Sequence, residues 1–351
     1  MGSTTVALLL MLSAGAAAAE PPSSTDGSAT PASRPLLLDG AYPLEVSAAF
    51  HSALLHWLDS LAALNPPIGT SGKTVEAHRK AYRLAFGVPT ERDIETLRRF
   101  RKARADFADG KRGDASHGLT LAFFEAPDLD AALQRARTML SEENADGLEE
   151  SLRHYAPRYR EIWQDGKIPR TFLERAGKRR LAALGEFLVE VARFYGVPPD
   201  QEPRPHVVLA PVDPGFGTHA QAIDRFLLIE IRHWEGVLDE VAPIVHENAH
   251  FLAQRMDRDR TDALEAFANE RGTSARGAWK LLTEALPTAI AQGVAEQKFH
   301  PGRWSMRDNW YHVDAIDGYA KALFPIVKKA LENDGSFDTA FLKKALSVYR
   351  K

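Results

Sequence analysis

The chain has 351 residues, no cysteine, a formal charge of -3, and 44% hydrophobic against 26% charged residues. Without cysteine it can have no disulfides, thiolate ligands or thiol nucleophiles, so stability must come from packing, which a chain of this length can supply. The near-balanced charge implies no polyanion partner, and nucleic-acid binding is not expected.

Residues 1–19 read as a secretory signal, with a short apolar core from Val6 to Leu12 and a small-residue cleavage site at Ala17-Ala18-Ala19. The apolar run is too short for a membrane span. The mature protein is therefore expected to be periplasmic or secreted, with no stable membrane insertion after signal cleavage. Residues 20–35 are rich in Ser, Pro, Ala and Thr and read as a flexible linker. From Leu36 the pattern becomes helical. Apolar residues at helical spacing predict helices over 44–64, 74–86, 91–107, 128–141, 145–163 and 172–195. The turn residues at 109–114 and the apolar run at 119–124 predict a surface turn and a short strand. Charged runs at 98–104, 175–180 and 255–260 are expected to be solvated helix faces.

Gly196-Val197-Pro198-Pro199-Asp200 ends the last of these helices and predicts a domain boundary, dividing the mature chain into a helical region (36–200) and a second domain (201–351). Strands are expected at 205–212 and 220–231, joined by the turn 213–217. A helix follows around Val241 to Leu252, then a charged connection over 257–276 and a helix around Glu284 ending near Gly293. A loop from His300 carries Trp304, Trp310, Tyr311 and His312, and helices over 314–331 and 338–349 close the chain. The fold class expected is α+β, predominantly helical, with a small sheet ahead of the helix at 241–252.

That helix carries His246-Glu247-Asn248-Ala249-His250, an H-E-x-x-H pattern. Residues four apart share a helix face, so the two imidazoles can converge on one ion. Glu247 flanks the same face. Two neutral nitrogen ligands, an open coordination position and an adjacent base make up the arrangement that metal-assisted hydrolysis requires, with Zn2+ the expected ion. The run around the motif is apolar, where paired imidazoles and a carboxylate are costly unless something satisfies them.

A third ligand must come from elsewhere. The metzincin continuation would need Gly and His where this chain has Ala253 and Met256, and is excluded. Glu284 is the best candidate, because its carboxylate stands among apolar residues. The competing acids are Asp257, Asp259, Asp262, Glu265, Glu270 and Glu296, most of them in a strongly charged segment.

From about Pro205 onward the chain resembles the gluzincins, zinc metallopeptidases with H-E-x-x-H and a Glu from a later helix. The resemblance implies a zincin-like domain in which His246, His250 and Glu284 are metal ligands and Glu247 is general base and acid toward a peptide or protein substrate. It also implies an edge strand able to pair with an extended peptide, and an oxyanion donor from beyond the Glu284 helix, for which Tyr311, His312 and Tyr319 are the candidates. The chain departs from the pattern at Thr288, where many gluzincins carry an Asp that orients a ligand His, and at Pro287 just after the Glu. The remaining histidines, including His56, His206 and His219, read as packed or surface residues. Two other readings stay open: a zinc-stabilised helical binding protein without turnover, and a metal-dependent hydrolase of a non-peptide amide or ester. Nothing in the sequence speaks to oligomeric state.

Overall fold

The structure, a computed structural model, describes residues 36–38, 42–62, 73–109, 117–175, 178–212, 219–232 and 240–349. The expected signal (1–19) and linker (20–35) lie outside the described residues, as do the turn at 213–217 and most of that at 109–114. Among the described residues no helix is long and apolar enough to cross a membrane.

In chain order, β1 (Leu36–Leu38) and β2 (Leu44–Ser47) precede eight helices. These are α1 (Phe50–Ala62), α2 (Lys73–Phe86), α3 (Glu91–Asp109), α4 (Gly118–Phe124), α5 (Leu129–Arg137), α6 (Glu142–Trp163), α7 (Lys167–Glu174) and α8 (Lys178–Tyr195). β3 (His206–Pro211), β4 (Ala220–Ile223) and β5 (Phe226–Ile231) come next, then α9 (Val241–Gln254), α10 (Arg258–Glu270) and α11 (Thr273–Thr288). A π-helical stretch, Ala289–Ala295, leads into α12 (Glu296–Phe299), and α13 (Asp314–Glu332) and α14 (Thr339–Ser347) close the chain. The α+β, predominantly helical class holds.

The five strands lie in the order β1-β2-β3-β5-β4. β2, β3 and β5 are parallel, while β1 and β4 pair antiparallel at the two edges. Successive side chains alternate across the sheet. Val207, Leu209, Leu227, Ile229 and Ile231 pack into a core with α8, α9, α11 and α13, and Val208, Ala210, Phe226 and Leu228 pack into another with α1, α4 and α6. Both faces of β3 and β5 are thus covered, which is why these strands are near-continuous apolar runs.

Five elements differ from expectation, the first being the helix expected over 172–195, which is split between α7 and α8. The helix predicted over 44–64 begins only at Phe50, because Leu44 and Val46 turn inward while Glu45 and Ser47 are half-buried, a period-two pattern, and the segment pairs with β3. The strand predicted over 119–124 is α4: a short apolar run buried on all sides has no periodicity to separate strand from helix. The single strand predicted over 220–231 is a hairpin, turning at Asp224 (φ 52°), a left-handed conformation that Asp tolerates. The charged connection over 257–276 is α10 and the start of α11. Asp257 caps α10 by accepting the Arg260 N–H at 3.0 Å, which typically contributes about 1 kcal/mol.

The predicted boundary near residue 200 does not separate two bodies. The described residues fall in one compact unit, and β2, from the helical region, is an inner strand of the sheet that precedes α9. Tyr42, just ahead of β2, donates its buried hydroxyl to Asn248 Oδ1 on α9 at 2.9 Å.

Candidate metal centre

α9 lies on the sheet face lined by Leu227 and Ile229 and buries Val241, Ile244, Val245, Ala249 and Leu252 against the core. The remaining face of the helix presents His246 and His250, one turn apart. Their Nε2 atoms stand 3.0 Å from each other, and Glu284 Oε2, from α11, lies 3.5 Å from each. One ligand atom from each of the three residues falls within 4.8 Å of the other two. Two imidazole nitrogens in contact satisfy one another poorly, since only a protonated ring nitrogen can donate. Two nitrogens and a carboxylate oxygen converging on one point could hold a metal ion, and this donor set fits Zn2+.

The competing acids are placed elsewhere. Asp257 caps α10, Glu296 pairs with His300 at 2.9 Å, and Asp259, Asp262, Glu265 and Glu270 are exposed.

Glu247 is 7% exposed. Burial pushes its carboxyl above the ordinary range, against the pull of His246 and His250 and of a hydrogen bond from the Ala222 N–H on β4. Burial alone would raise Glu284 too. Hydrogen bonds from His246 and His250 outweigh it and hold that carboxyl well below the usual carboxylate range. Burial likewise disfavours the charged form of His250, but Glu284 and Glu247 reverse the effect and its pKa rises. The three donor residues and Glu247 therefore form one electrostatic unit.

The three expected oxyanion donors separate. Tyr311 donates its hydroxyl to Glu284 Oε2 at 3.2 Å, and its ring lies nearly parallel to that of His246, with centroids 6.3 Å apart. Burial, then Glu284, raises its pKa, so the phenol stays protonated. His312 is exposed and stacks on Tyr311 at 4.5 Å. Tyr319 is not at the site: its buried hydroxyl donates to Ala345 O on α14 at 3.1 Å, and its ring meets Tyr349, so it joins α13 to α14.

Sequence reasoning missed the groups that hold this arrangement in place. Asp317, in the first turn of α13, accepts the N–H groups of Trp310 and Tyr311 at 2.7 and 3.2 Å and so fixes the loop. Gly293 lets that loop approach, because a Cβ there would lie 2.6 Å from Phe324 and 3.2 Å from Trp310. Thr288, where many gluzincins carry an orienting Asp, donates instead to Glu284 O at 2.8 Å. The Ala222 N–H has no side-chain signal at all. Asn248 and Asp317 were open to suspicion, as a polar residue on an apolar helix and an acid in a helix's first turn.

Compared with protein-family models, with curated proteins and with solved structures, the chain has no significant match in any of the three.

Proposed function

We propose that the chain is a zinc-dependent metallopeptidase with a zincin-like site, exported through the signal read at residues 1–19. The observation that carries this reading is the convergence of His246, His250 and Glu284 with Glu247 buried beside them. A bound Zn2+ would polarise a substrate carbonyl and lower the pKa of a water toward neutrality. Glu247 takes a proton and returns it to the leaving amine, a role suited to a carboxyl raised by burial. Its orientation comes from the Ala222 N–H. Tyr311, held by Asp317, presents a neutral phenol beside the ligand carboxylate, in position to donate to a developing oxyanion.

A peptide substrate is favoured over another amide or ester by β4. It is the outermost strand of the sheet among the described residues and pairs antiparallel with β5; its residues Ala220, Gln221 and Ala222 are half-buried, and it touches Glu247. An edge of this kind can hold an extended chain through main-chain hydrogen bonds.

The test is Glu247→Gln assayed on casein beside wild type, with zinc content measured in both. The variant is expected to retain zinc and lose hydrolysis by roughly 100-fold or more. Wild-type protein that holds zinc and cleaves neither casein nor small amides and esters would leave the non-catalytic binding protein as the reading.

A further inference from the structure

A cleft of about 350 Å³ lies on the side of the sheet away from the donor set, among the end of α1, α2, the turn at 87–90, α3 and α6. Ile94, 51% exposed, and the half-buried Leu97 and Pro89 give it accessible apolar surface; Leu61, Tyr82 and Tyr155 also line it. Tyr155 is fixed there by donating its hydroxyl to Asp93 O at 2.8 Å, and the Arg158 guanidinium lies over both tyrosine rings.

The rest of the lining is cationic. Arg79 and Arg83 stand one turn apart on α2, and Arg98 and Arg101 one turn apart on α3, all four exposed. Like charges at these spacings repel along a helix, and here two such pairs reach one cleft. The nearby acids do not offset them. Asp93, the one carboxylate among the described lining residues, is 2% exposed and already accepts from Arg158 at 2.5 Å, His154 at 2.6 Å and the Thr90 N–H at 2.8 Å. Arg98 pairs with Glu95, but both side chains are open to water, where such a pair is weak. Arg79 donates to a carbonyl, Leu61 O, at 3.2 Å. Arg83 and Arg101 have no ion pair among the described residues.

We propose that this cleft binds a small amphipathic anion, with its apolar body against Ile94 and Leu97 and a terminal carboxylate or similar group held by Arg83 and Arg101. Guanidinium groups with no acid opposite can take such a group in charge-assisted hydrogen bonds, and the volume is that of a small-molecule site. A neutral apolar molecule would leave the arginine charges unanswered. A bare inorganic anion would leave the apolar surface wet. The cleft shares no residue with the metal centre, so the inference does not rest on peptide hydrolysis, and its test needs neither metal nor turnover.

The probes are decanoate, decanol and decyltrimethylammonium, which share a tail and differ in the charge of the head. Each is titrated, below the concentration at which it forms micelles, into full-length protein at low and high salt, with heat of binding as the readout. Wild type is expected to bind decanoate saturably and about tenfold tighter than decanol at low salt, to bind the cation more weakly than either, and to lose the preference at high salt. Arg83→Gln/Arg101→Gln is expected to bind decanoate and decanol alike with Tm unchanged, since neither arginine has an ion-pair partner to lose. Ile94→Asn should weaken decanoate and decanol by the same factor. The assignment would be overturned by any of four results: no saturable decanoate binding, equal affinity of wild type for decanol, a preference that survives in the double variant, or attachment to phosphatidylglycerol vesicles without binding of dispersed decanoate. The last would make the α2–α3 corner a membrane-docking surface instead.

Discussion

Two groupings of histidines with a glutamate stand on opposite sides of the β4–β5 hairpin, and they are built to opposite ends. On the α9 side, His246 and His250 bring their Nε2 atoms to 3.0 Å, with Glu284 3.5 Å from both, and all three residues are half-buried. On the α1 side, Glu230 is wholly buried on β5. One of its oxygens meets His56 Nε2 at 2.8 Å and the other accepts the His219 N–H at 3.0 Å, while the His219 ring stacks on His56 at 5.9 Å. The residue types match, but the second group is a hydrogen-bonded lock, in which donors point at acceptors. Among the described residues only the first group has lone pairs converging as a metal would need. Ligand-type residues alone do not make a metal site; the direction of their donor atoms does.

The sharpest way to break this comparison is metal content. His246→Ala or His250→Ala is expected to reduce zinc from about one per chain to near none, whereas His56→Ala keeps it; inductively coupled plasma measurement on purified protein decides. Loss of zinc in all three would merge the two groups into one. The next effect falls on stability. Glu230→Ala leaves His56 buried without its partner and is expected to cost about 3–5 kcal/mol in denaturant unfolding, with zinc stoichiometry unchanged in the folded protein. Last comes a paired test of the two tyrosines. Tyr311→Phe should lower hydrolysis by roughly 100-fold with zinc retained. Tyr319→Phe, losing only its bond to Ala345 O, should leave turnover alone and cost about 1 kcal/mol of stability.

Much of the α9 site was legible because it is local. The four-residue spacing of His246 and His250 fixes their shared face, and Glu284 stands out as an acid among apolar helix positions. The partner lock was not legible. His56 and Glu230 are remote in sequence, although a lone acid in Phe226-Leu227-Leu228-Ile229-Glu230-Ile231 signalled a buried charge needing a mate. Tyr311, His312 and Tyr319 could not be told apart, because their roles depend on Asp317 and on α14, which lie beyond any local pattern. The same limit hid β2: four residues of alternation run directly into an apolar helix, and only the distant strand β3 makes them a strand. The expected division near residue 200 fell with it.

That inner position of β2 bears on how the chain is made. Glu45 pairs with His206 and Ser47 with Val208, so the strand, with only the short β1 beside it, leaves the ribosome long before its parallel neighbour β3 exists. Until β3 is made, the edge of β2 away from β1 is an open row of amide groups, the kind of template on which other chains aggregate. Closing so long a loop is entropically slow and delays formation of the sheet until β3 is out. Damage at this early strand, remote in the chain from His246 and His250, would be felt as poor yield before it was felt as poor chemistry.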